Sequence, residues 1–488
     1  MILAALTLAA AASTASPVAT AHHAVSTTSP AAQQLFDRGL TDIYGYDGDD
    51  ATAEFSKAAL ADPHLAMAFW GLALADGSDL NTPLTSDAFD RAKVAIARAQ
   101  PLLGYANDEE RALIAAVTLR YSGSFADTQR DEQNYRDAME RVVAQYPNDD
   151  DAAMLLVEAL MEHSGMHWTK NGTPLGDSSV RIIGLIQTVL TRNPTNIMAN
   201  HLCIHAYDSA HDRTPAVACA QALDAMKFDP NDEHLTHMPA HLWIEIGKWR
   251  NALASSERAW ALIEAWAHEN QRDVSAAKYG VHDATLALSA AMMGGDRSSA
   301  ETWGGRLTQL NGNDYRPLIA ARFGDWTAVP KTDPTSAPGE KFARGLAAVA
   351  QDQPATAQAL LKQLQQANIV PDSDLLAASV DESHGNVDGA LAALRRADAW
   401  QQANQPAEYV PFFPADERIG ALLYRAGRYA DALTAFTEVV NRRPFAPRPL
   451  FGLWQTLLRL GATDQAAAAE TRFQGTWGGP TPLTMNDF

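Results

Sequence analysis

The chain is short of basic charge, of cysteine and of long apolar runs, and each shortage excludes something. Its 38 lysines and arginines are outweighed by 58 aspartates and glutamates, for a formal net charge of −20. No clustered basic patch stands out, so a nucleic-acid phosphate partner is excluded. Beyond the N-terminus no apolar run approaches the roughly 20 residues needed to cross a bilayer, and no membrane span is expected. Stretches with strand-like alternation are few. The chain has no P-loop, no G-x-G-x-x-G after a strand, no G-x-S-x-G elbow and no H-E-x-x-H. The acidic turns at Asp47-Asp49-Asp50 and Asn148–Asp151 lack a full calcium loop and read as helix caps.

Only Cys203 and Cys219 are cysteine. They fit an exported protein either as a disulfide or as two buried small hydrophobes, and both readings are open. Residues 1–21 resemble a secretory signal ending in Ala19-Thr20-Ala21, although the usual positive n-region is missing. A periplasmic or secreted location follows. Residues 22–29 then form either a flexible leader or, after cleavage, a new terminus at His22 able to chelate copper.

What the chain does have is histidine in a pattern. Six of its fourteen histidines lie between 201 and 241, and all but His211 fall at helical spacing. Residues four apart share a helix face and residues seven apart return to it, so His201 and His205 form one pair and His234, His237 and His241 one triad. Clustered imidazoles are what a transition-metal site needs.

The pattern from Phe413 to Pro444, with Gly420, Gly427, Tyr429, Ala432, Phe436 and the closing Pro444, resembles a tetratricopeptide repeat, and the unit from Pro447 repeats it. Prolines at 63, 147, 194 and 230 extend the same frame backward. The expected fold class is therefore all-α, a tetratricopeptide-like α-solenoid of antiparallel helix pairs in a right-handed superhelix with a concave groove. The organisation reads as an N-terminal repeat array at 30–310 carrying the histidines, less regular helical repeats at 311–404, and C-terminal repeats with a tail at 405–488. Helices in the middle are expected at 339–350, 355–366, 372–383 and 387–402.

The repeat resemblance implies that the second, fifth and ninth places of each first helix line the groove. It places Glu158, His205 and His241 in one row, His201 and His237 in another, and His234 and His282 beside them. His201, His205, His234, His237, His241 and His282 are the expected metal ligands, with Glu158 as the catalytic or orienting carboxylate. The surplus of imidazole over the four closed ligands of a structural zinc site favours copper, with zinc or iron as alternatives, as one or two ions. His163 and His167, beside Met166, form either a lid with extra ligands or a surface loop. His211 belongs to a turn, and His64, His268 and His384 have no partner at ligand spacing.

The segment His234-Leu-Thr-His237-Met-Pro-Ala-His241, followed by Gly247-Lys-Trp249, resembles a group of bacterial tetratricopeptide-repeat proteins with a His-Met-Pro-small-His motif. The helix at His201–His205, the His282-Asp283 pair and the repeat from Pro411 to Trp477 extend the likeness. Where that group often has a further histidine three residues after the pair, this chain has Thr285, so no ligand is carried over there. The resemblance implies the fold and the site and leaves the reaction open. The expected function is a metalloenzyme, with copper-dependent oxidation of a small organic substrate ahead of metal-dependent hydrolysis. The substrate, a small molecule or a peptide, would sit in the concave groove. A protein-interaction scaffold with structural or no metal, or a periplasmic metal carrier, are the alternatives.

Overall fold

The computed structural model describes residues 17–169, 171–331, 337–404, 411–479 and 483–488. The expected signal at 1–21 lies mostly outside the described residues. The described chain is an all-α, tetratricopeptide-like solenoid in which each helix packs chiefly on its sequence neighbours. No described helix is long and apolar enough to cross a membrane.

Local chemistry explains the elements. Asn196 caps helix Ile197–Tyr207 through its side chain, accepting from the Ala199 amide, which satisfies one of the orphan donors at a helix start. Helix Glu233–Ile246 runs through Pro239 and stops at Gly247, whose φ of +83° suits glycine. A Cβ on Gly247 would fall 2.4 Å from the Ala446 nitrogen, so this glycine also permits contact between the N-terminal array and the C-terminal repeats. The Phe445 amide donates to the Ile246 carbonyl across the same junction, at 2.9 Å. In the middle region the helices are Pro338–Ala350, Pro354–Gln366, Asp372–Ser383 and Val387–Asn404, close to the ranges periodicity predicts.

Two features were not anticipated. The N-terminal array curls until its first helix, Pro30–Tyr44, packs on Ile197–Tyr207. Arg38 ties this closure by an ion pair to Asp232 at 2.8 Å, and is itself held by Asp42 of its own helix at 3.0 Å. Residues 22–29, expected as a flexible leader, instead lie along the body: His22 Nδ1 is 2.6 Å from Asp37, and His23 Nδ1 is 2.9 Å from Asp151. The side chains of this stretch are polar but matched by carboxylates on two helices, and that matching holds it in place.

Candidate metal centre

Helices Ile197–Tyr207, Glu233–Ile246 and Gly280–Gly294 bring the six predicted ligands together in two sets of three. One set is His201, His205 and His234; the other is His237, His241 and His282. This grouping differs from the rows expected from the repeat frame. His234 and His237 are three residues apart, which rotates the second backward by about 60° around the helix. His234 therefore turns toward the preceding helix and His237 toward the following one, so a single helix serves both sets.

In the first set, Nε2 of His201 lies 3.1 Å from Nε2 of His205 and 3.2 Å from Nε2 of His234. In the second, Nε2 of His282 lies 3.1 Å from Nε2 of His241. The sets adjoin, with the His234 and His237 ring centroids 4.6 Å apart.

In three of the six rings Nδ1 faces an oxygen. His201 Nδ1 faces the Tyr44 carbonyl at 2.8 Å, His205 Nδ1 faces Asp208 at 3.1 Å, and His237 Nδ1 faces Asp283 at 3.0 Å. An imidazole whose Nδ1 points at an acceptor carries its proton there, leaving a bare lone pair on Nε2. In His201 and His205 the two Nε2 atoms face each other. Burial drives His201, His234 and His241 well below the ordinary imidazole range, and brings His282 down to about 3, with neighbouring imidazoles adding to the effect. His237 goes the other way: burial opposes its charge, but Asp283 and Glu233 outweigh it and hold it up at about 10.

Two tyrosines wall the centre. The buried Tyr46 ring packs on His201 and His234 at centroid distances of 4.7 and 5.3 Å, and Tyr279 on His234 at 4.6 Å. Tyr46 sits at φ +56°, a conformation rare for a bulky residue. Its backbone is fixed there by Lys278, which donates to its carbonyl at 2.8 Å. A cavity of about 340 Å³ opens over five of the histidines between Leu80, Asn81 and Tyr279.

Glu158 belongs to neither set. Its carboxyl lies beside Tyr46 and Glu162, and burial together with the Glu162 charge pushes it well above the usual carboxylate range. The Tyr46 segment, brought in by the closure of the array, displaces Glu158 from the row assigned to it. His163 and His167 are exposed and take no part in either set. Cys203, between the two histidines of its helix, forms a disulfide with Cys219. Asp208, Asp283, Tyr46 and Tyr279 were not picked out by spacing. Only Asp283, next to His282, had a local signal.

No family model matches the chain, and no curated protein does. Among solved structures it is similar to the TPR domain of P58(IPK), at 13% identity over 81% of this chain and 99% of that one, with a TM-score of 0.23. It is also similar to the human IFIT1 dimer with m7Gppp-AAAA, at 11% identity over 89% of both chains (TM-score 0.32), and to yeast Tom70, at 10% over 93% of both (TM-score 0.27). Likenesses at these scores carry nothing about a ligand or an activity.

Proposed function

We propose that the six histidines hold a pair of transition-metal ions, copper in the first instance, and that the chain is an exported oxidase of a small organic substrate. The observation that carries this is the convergence of Nε2 atoms at 3.1 Å in His201 and His205, with their Nδ1 atoms turned to oxygen. Imidazoles so arranged offer a shared cation Nε2 ligands from one helix face.

Six imidazoles without thiolate suit copper better than calcium or magnesium, which take oxygen ligands. A bound copper pair would supply dioxygen binding and electron transfer. The chain's own residues do the rest. Tyr44, Asp208 and Asp283 orient the rings by holding Nδ1, which fixes where Nε2 points. Tyr46 and Tyr279 shield the centre from water. The cavity of about 340 Å³ is at the small end of ligand pockets and suits a compact molecule better than a folded peptide. With dioxygen as oxidant, two two-electron substrate oxidations deliver the four electrons and four protons that yield two waters.

The Cys203–Cys219 disulfide supports an oxidising compartment and so a periplasmic or secreted location. The activity test is oxygen uptake by the copper-loaded chain with a panel of small phenols and amines, comparing wild type with His241→Ala. Uptake that needs His241 is expected. Tightly held metal with no turnover across the panel would remove the oxidase reading and leave a carrier or scaffold.

A further inference from the structure

A second cavity, of about 800 Å³, shares no lining residue with the one over the histidines and is lined by Arg297, Arg322, Arg418, Arg425 and Arg448. Among the described residues, the acidic side chains that line it with them are Glu382 and Asp487. In a chain of net charge −20, five guanidiniums on one cavity run against the overall balance. Arg418 and Arg425 are seven apart on helix Ala415–Arg425 and share a face. Arg448 comes from the first turn of helix Pro447–Arg459, and Arg322 from the end of Arg316–Arg322.

Three of these arginines have partners in the fold. Arg297 pairs with Glu301 and Asp325, Arg425 with Glu382, and Arg418 donates to the Ser379 hydroxyl and the Leu375 carbonyl. The other two are different. Arg448 is 4% exposed, and its Nε and Nη1 have no hydrogen-bond partner among the described residues. Arg322 is 7% exposed; its Nε has none, and one of its Nη groups donates to the Met293 sulfur, a weak acceptor. The nearby buried Glu417 stands 3.8 Å from Arg322 and 3.9 Å from Arg443, too far for a direct hydrogen bond to either. Burying a guanidinium is unfavourable unless a well-placed anion compensates it.

We infer that this cavity is a binding site for a small organic dianion, a dicarboxylate with an apolar body, bridging Arg322 and Arg448. Guanidinium recognises carboxylate through paired N–H donors, and a second acidic group answers the second arginine. The apolar body is indicated by Trp326 and Phe413, which line the same cavity. The site is independent of the histidine centre and needs no metal.

The test is isothermal titration of the full chain with isophthalate and with inorganic phosphate. Isophthalate should bind at one equivalent with a Kd below about 1 mM, and phosphate at least about tenfold more weakly. Arg448→Met and Arg322→Met should each weaken isophthalate by about tenfold or more, while Arg396→Met, an exposed arginine paired elsewhere with Asp374, should change nothing. Helical circular dichroism of each variant is checked first, because the buried Glu417 keeps Arg443 as an ion-pair partner when Arg322 or Arg448 is replaced. Saturating isophthalate should raise the melting temperature of the wild type and not of the double variant. Absence of saturable binding up to about 10 mM, or wild-type affinity in both single variants, would overturn the site. Equal affinity for phosphate would overturn the apolar body.

Discussion

Nε2 of His201 and Nε2 of His205 stand 3.1 Å apart, one helical turn from each other, while their Nδ1 atoms are held by the Tyr44 carbonyl and Asp208. The proposed cation between the rings has consequences that can be measured.

The two sets predict separable stoichiometry. His201→Ala removes a ligand from the first set only, and His282→Ala from the second only. Each variant should lose one of two metal equivalents and keep its helical circular dichroism. Loss of both ions from either single variant would instead indicate one shared site.

Orientation through Nδ1 should matter without touching metal. Asp283→Asn keeps the size of the side chain beside His237 but removes its charge. Partners of this kind are worth about 10–100-fold in metal affinity, and competition against a chelator of known affinity would read the change. An unaltered affinity would mean that His237 is oriented by packing alone.

The disulfide should stabilise the helix bearing His201 and His205. It closes a separation of 16 residues, for which the chain-entropy account gives about 3 kcal/mol. A Cys203→Ala, Cys219→Ala double variant should lose stability of that order in urea titrations. Equal midpoints with equal slopes for variant and wild type would rule out that contribution.

His23 supplies a pH dependence outside the centre. Burial opposes its charge, but Asp151 at 2.9 Å and Asp149 at 3.9 Å outweigh it and raise it to about 9. A histidine raised on folding stabilises fully below its ordinary value near 6.5, and that stability is lost as pH climbs through 9. His23→Gln should therefore cost on the order of 2 kcal/mol at pH 6, and the gap to wild type should narrow steadily up to pH 10. Parallel stability profiles would show that the pair contributes nothing.

The sequence made the histidines legible because their signal is local. His201 and His205, and His237 and His241, are one turn apart on helices whose boundaries are marked by prolines, asparagine and glycine. The repeat frame then added His282 from the next unit. It did not foresee Tyr46 beside Glu158, because it describes only how neighbouring units stack. The closure of Pro30–Tyr44 onto Ile197–Tyr207 joins units remote in sequence, and it brings Tyr44 and Tyr46 to the histidines. No periodicity encodes such a contact. The ordered segment at 22–29 was missed for the same reason: its partners Asp37 and Asp151 become visible only when the array curls.

The central claim is tested most directly by metal analysis of the full chain, purified without an affinity tag, loaded with copper and dialysed. Two equivalents per chain, falling below about 0.2 in a His205→Ala, His241→Ala variant that remains helical, is the predicted result. A wild-type chain that retains no metal after loading with copper or zinc would contradict it.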